Sequence, residues 1–147
     1  MDKQLSCYCG LYCGYCAVKV KVGPAAKVLY DEMISAGFED VISDIPGGEG
    51  FWPFLKHMAE QGMCVSCRDG GGNPECAIRL CAQDKEVEMC AFCTEYPCGK
   101  LTEFFKSSVG CAVLEKDNVL LRDKGWEAWA ELQDKRLENG YKFGDTE

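Results

Sequence analysis

From Met63 to Cys98 the chain reads M-C-V-S-C-R-D-G-G-G-N-P-E-C-A-I-R-L-C-A-Q-D-K-E-V-E-M-C-A-F-C-T-E-Y-P-C, with cysteines at 64, 67, 76, 81, 90, 93 and 98. Cys64/Cys67 and Cys90/Cys93 are C-x2-C pairs. Such a turn aims two thiolates at one ion and brings backbone N–H groups near the sulfur charge. Two of them make the tetrahedral all-sulfur geometry usual for structural zinc. A second cluster, C-G-L-Y-C-G-Y-C, carries Cys9, Cys13 and Cys16 near the N-terminus. The pattern predicts a small domain whose irregular turns are knitted together by metal.

The rest of the composition narrows the class. A chain of 147 residues is expected to form one domain, residues 1–147, large enough to bury a core of its own. Twelve cysteines against one histidine, His57, favour all-sulfur sites over mixed cysteine–histidine fingers. Lys and Arg number 16 against 24 Asp and Glu, a net charge of −8. The sparse set Lys19, Lys21 and Lys27 is the nearest thing to a basic patch, so no nucleic-acid partner is expected. The apolar runs are too short to span a bilayer, and M-D-K-Q-L-S-C-Y-C-G contains no leader-like apolar segment. A cytosolic protein is expected, where thiols stay reduced and paired cysteines bind metal more often than they form disulfides. An acidic balance suits a protein or small-molecule partner.

Apolar spacing predicts a mostly helical chain with little or no sheet. A-V-K-V-K-V, residues 17–22, alternates like a short strand, although six residues can equally open a helix. Pro24 suits a helix start, with Ala26, Leu29, Tyr30 and Met33 on one face before Gly37. Phe38, Val41, Ile42 and Ile45 mark a second short helix. Phe51, Phe54, Leu55 and Met58 mark a third, with Pro53 in its first turn and Gly62 after its last. These stripes are expected to be core. Asn73-Pro74 is expected to start a helix bearing Cys76, Ile78 and Cys81. Cys76 and Cys81 lie about 140° apart around such a helix, which argues against their sharing an ion. Pro97 is expected to open the next helix, with Cys98 in its first turn and Gly110 at its end. Leu114, Val119 and Leu121 stripe a further segment. Trp126, Trp129, Ala130 and Leu137 follow Gly125 in a last helix that Asn139-Gly140 closes.

The chain resembles the cysteine-rich domain-of-unknown-function family thirty-seven ninety-five over nearly its whole length. The resemblance rests on C-G-L-Y-C-G-Y-C, C-V-S-C, C-A-I-R-L-C-A, C-A-F-C-T-E-Y-P-C-G-K-L and N-V-L-L-R-D-K-G-W-E-A-W. It implies metal binding, with zinc the first expectation, and no established activity. Matched residue by residue, its cysteines are Cys9, Cys13, Cys16, Cys64, Cys67, Cys76, Cys81, Cys90, Cys93 and Cys98, while Cys7 and Cys111 fall outside. Family members with a further cysteine pair after the last helix differ from this chain, whose tail has none.

Ten ligands exceed two four-cysteine sites by two. The preferred division places Cys64, Cys67, Cys90 and Cys93 on one ion. Its second ion takes Cys13 and Cys16 with two of Cys9, Cys76, Cys81 and Cys98. The other division gathers Cys81, Cys90, Cys93 and Cys98 locally and pairs Cys13 and Cys16 with Cys64 and Cys67. Closure cost rises slowly with loop length, so neither is excluded.

The C-x3-C-x2-C spacing of Cys9, Cys13 and Cys16 is also that of radical S-adenosylmethionine enzymes. Those need a large βα barrel that this chain is too short to build. A [4Fe–4S] protein in electron transfer or redox sensing is the main alternative to zinc. Thiol–disulfide catalysis would require a βαβ context that is missing here. His57, beside an apolar stripe, belongs to no catalytic pattern. Four sulfurs per ion leave no open coordination position, so the expectation is a zinc-binding adaptor module rather than an enzyme.

Overall fold

The computed structural model describes residues 2–107 and 109–141. Helices dominate, and the described residues form no β-strand, only an isolated antiparallel bridge between Ser6 and Tyr12. The mostly helical class read from the sequence is the observed one. No helix among the described residues is long and apolar enough to cross a membrane. The chain divides into two compact units, Ala17–Val65 and the remainder, residues 1–16 with 66–147.

In the first unit, Val18–Val22 winds as a wide π-helical turn straight into α1 (Gly23–Ser35), so the alternating valines are helical rather than a strand. With no partner strand there is no ladder to stabilise an extended segment, and Pro24 has the φ that a helix start needs. Gly37, at φ 74°, turns the chain into α2 (Phe38–Val41) and a 3₁₀ turn, Ile42–Asp44. α3 (Gly48–Gln61) packs on α1, with the Tyr30 and Trp52 rings 5.1 Å apart. α3 begins five residues before Pro53, which therefore lies inside the helix rather than in its first turn. Gly48 permits the approach of this helix to the preceding turn, because a Cβ there would stand 1.7 Å from the Ile42 carbonyl oxygen.

The apolar stripes of this unit are less buried than their spacing suggests. Ala26, Ile42 and Leu55 are buried, but Leu29 is 47% exposed, Phe51 40% and Phe54 51%. A 49-residue helical unit has too little volume to enclose stripes on every element.

The second unit has two apolar clusters. Trp129 packs with Tyr12, Tyr15, Met89, Ala91 and Leu121 in one, and Ile78, Leu101, Phe105 and Leu114 form the other. They are built by α4 (Ala77–Asp84), α5 (Gly99–Lys106), α6 (Val109–Glu138) and the loops between. α4 starts after Cys76 rather than at Asn73-Pro74: the Asn73 side chain instead accepts the Glu75 amide and closes a local turn. α5 ends at Lys106, before Gly110. Gly125, at φ 82°, breaks α6 into two arms, as its place in the sequence predicts. Across the break, the buried Asp117 carboxylate accepts from both Arg136 guanidinium nitrogens and from Gln133 Nε2. Each charge is thus met by its opposite, which makes burial tolerable. Val119 is exposed and contributes nothing to either cluster.

Candidate metal centre

All twelve cysteines are free thiols. Four of them, Cys81, Cys90, Cys93 and Cys98, line one cavity of about 20 Å³, together with Ala82, Val87, Tyr96 and Leu101. Cys81 stands on α4, beside the buried Ala82. Cys90 and Cys93 bracket a 3₁₀ turn closed by the Cys93 amide on the Cys90 carbonyl at 3.0 Å. That turn is anchored by Met89 and Ala91, both fully buried.

Cys98 is the N-cap of α5, in extended conformation, one residue ahead of the helix rather than inside its first turn. The Cys90 amide donates to the Tyr8 carbonyl at 2.8 Å, fastening the N-terminal segment to this turn.

Burial pushes the Cys90 thiol up to about 12, and the neighbouring sulfurs of Cys9, Cys98, Cys81 and Cys93 act in the same direction. Four thiolates cannot share so small a space unless a cation joins them. The donor set is soft and all-sulfur, the kind that both zinc and iron–sulfur clusters take. Among the described residues, no three His, Cys, Asp or Glu side chains are placed together so as to hold a metal ion.

A second group of sulfurs lies near the N-terminus. Cys7 Sγ and Cys13 Sγ are 3.3 Å apart, both buried, and the Cys67 and Cys9 thiols are near enough to act on the Cys7 thiol. These neighbours push Cys7 far above the ordinary thiol range, and Cys7, with the Tyr8 backbone and the Arg79 guanidinium, lowers Cys67 to about 6.

The ten cysteines singled out in the sequence are thus dispersed. Cys81, Cys90, Cys93 and Cys98 surround the cavity, the grouping of the local division. Cys9, Cys13 and Cys67 gather about Cys7. Cys76, the extended N-cap of α4, packs against the Ile78 cluster, as do Cys9, Cys90 and Cys98. Cys64 belongs to the Ala17–Val65 unit, where its thiol donates to the Val65 carbonyl at 3.0 Å. Cys16 follows the Cys13–Tyr15 turn and joins neither group.

A family model described as "Protein of unknown function (DUF3795)" matches residues 5–103. The chain belongs to this family. Among curated proteins and solved structures, none matches. The family match stops within α5, so it is shorter than the near-complete resemblance read from the motifs. It takes in Cys7 and both sulfur groups but not α6.

Four polar side chains hold the family's cysteine loops in place, and none was evident from the sequence. Arg79, only 5% exposed, donates to the carbonyls of Gly71, Asn73 and Pro74. Arg68 donates to Ser6 O, Ser6 Oγ and Glu88 O. From α6, beyond the matched residues, Asn118 donates to the Cys9 carbonyl at 2.9 Å. Arg122 donates to the carbonyls of Ala91 and Cys93 at 2.8 and 3.1 Å and lies over the Tyr96 ring. A signal for the last two was present: Asn118 and Arg122 are four apart on one helix and therefore share a face.

Proposed function

We propose that this protein is a cytosolic zinc-binding module whose metal is structural, with Cys81, Cys90, Cys93 and Cys98 as one four-sulfur site. The observation that carries the proposal is the convergence of these four cysteines, from α4, the 3₁₀ turn and the start of α5, on one ion-sized cavity. Zinc would cross-link three elements that otherwise meet through a few apolar side chains. It would also neutralise the sulfur charge that keeps Cys90 protonated. With every coordination position taken by sulfur, the ion has nowhere to bind substrate, so the role is binding rather than catalysis.

An adaptor role is supported by the Ala17–Val65 unit, which leaves Val28, Leu29, Phe51 and Phe54 on its surface. Apolar surface of this kind marks contact with another protein. Elemental analysis of protein purified without oxygen tests the metal. Zinc bound to the wild type and lost from this site in Cys98→Ser is the expected outcome. A brown protein containing iron and sulfide would replace zinc with a cluster. Leu29→Asp and Phe54→Asp should weaken partner binding while leaving the metal content unchanged.

A further inference from the structure

We propose a second site for a soft divalent cation, zinc in particular, formed by Cys7, Cys9, Cys13 and Cys67. Cys7 is the telling residue, since it lies outside every C-x2-C turn and outside the ten cysteines that the motifs pick out. Yet its sulfur stands 3.3 Å from Cys13 Sγ, with the Cys67 and Cys9 thiols near enough to act on it. Four thiolates arranged tetrahedrally at about 2.3 Å from zinc would have sulfurs about 3.8 Å apart. The observed Cys7–Cys13 pair is within about 0.5 Å of that spacing. A disulfide, at about 2.05 Å, would require a larger approach.

The frame around these sulfurs is built without the ion. The Cys7 amide donates to the Leu11 carbonyl at 2.7 Å, and the Gly10 amide to the Cys7 carbonyl at 3.0 Å. Arg68 ties the Cys67–Asp69 turn to Ser6, and Asn118 holds the Cys9 carbonyl. A zinc with four thiolates carries a charge of −2, and the buried Arg79 guanidinium, which hydrogen-bonds with Cys67, lies where it can offset part of that charge. Loops fixed in this way hold ligands near their bound geometry, as a site of useful affinity requires. This site shares no ligand with the cavity of Cys81, Cys90, Cys93 and Cys98, so the two proposals stand or fall separately.

The test is a metal count on full-length protein purified anaerobically with a reductant, followed by replacement of zinc with cobalt(II). Wild type and Cys111→Ser should each hold two ions. Cys7→Ser should hold one, with the thiolate–cobalt charge-transfer absorption about halved. Cys98→Ser should lose the other ion. Should Cys7→Ser fail to fold, Cys67→His serves instead: it should keep two ions and shift the cobalt d–d bands as one sulfur is replaced by nitrogen. Two ions in Cys7→Ser would overturn the second site, as would Cys67→His bands identical to wild type. So would an intact mass about 2 Da low that maps to a Cys7–Cys13 disulfide. A single ion in the wild type that survives Cys7→Ser but not Cys98→Ser would overturn this inference and leave the first site standing. No metal at all would overturn both.

Discussion

Replacing Gly10 by alanine tests whether the N-terminal sulfur loop is clamped as described. Gly10 has φ +94°, and a Cβ there would stand 2.2 Å from Asn118 Nδ2. Holding a residue other than glycine at such a φ costs about 1–3 kcal/mol. The methyl group must also displace the Asn118 amide, which donates to the Cys9 and Leu114 carbonyls at 2.9 and 2.7 Å. Losing two hydrogen bonds of about 1 kcal/mol each, with a buried carbonyl left unsatisfied at a further 1 kcal/mol or more, brings the total to about 4–6 kcal/mol. That is a large part of the stability of a typical domain.

Asn118→Ala alone forfeits the same hydrogen bonds and should cost about 2–4 kcal/mol. In the double variant the clash is gone, so Gly10→Ala should add only its backbone strain, about 1–3 kcal/mol. The two substitutions should therefore be coupled by about 3 kcal/mol, a size that double-mutant cycles resolve well. Urea unfolding of the metal-loaded proteins provides the measurement, with the fluorescence of Trp126 and Trp129 reporting on this unit. Gly10→Ala within about 1 kcal/mol of wild type would refute the reasoning, as would a double variant whose cost equals the sum of the singles.

Arg122→Ala removes the donor that holds the Ala91 and Cys93 carbonyls, so zinc affinity at the cavity should fall about 10–100-fold while the second site is unaffected; a competition titration with a chromophoric chelator reads this directly. Stripping metal with a chelator and reductant should raise hydrogen exchange sharply over residues 81–105 and 7–16. Exchange should rise little over α1 and α3, whose mutual packing involves no cysteine, and uniform loss along the chain would contradict this. In the stripped protein, the Cys7 thiol lowers Cys67 to about 6, and burial raises Cys90 to about 12. At pH 7.5, alkylation read by mass spectrometry should therefore mark Cys67 well before Cys90. The stability that Cys67 contributes is present above the ordinary thiol value and lost as pH falls through about 6. That of the protonated Cys90 is present below the ordinary value and lost as pH rises toward 12.

Much of the fold was legible because punctuation residues act locally. Gly37, Gly62, Gly125 and Gly140 end or break helices where their positions suggest, since each takes a positive φ that other residues resist. Pro53 misled because an extra turn from Gly48 precedes it, and nothing in the residues 48–52 fixes where winding begins. The exposure of Leu29 and Phe54 was hidden because periodicity shows which side chains share a face, but not whether anything covers it.

The grouping of the cysteines was hidden for a different reason. Loop closure depends only weakly on length, so spacing cannot choose between a partner five residues away and one sixty away. Cys7 illustrates this: beside the local Cys9 and Cys13, it meets Cys67 only through the approach of the Cys67 turn, which Arg68 fixes on Ser6. Arg79 left no trace because donating to loop carbonyls imposes no periodic pattern.

The central claim is that this chain holds zinc through sulfur alone, and zinc K-edge X-ray absorption on anaerobically purified, tag-free protein tests it most directly. The expected spectrum has four sulfur neighbours at about 2.3 Å and no nitrogen or oxygen shell, on protein containing one to two zinc ions per chain. Less than about half an ion per chain, or a shell with light atoms in place of sulfur, would contradict the account.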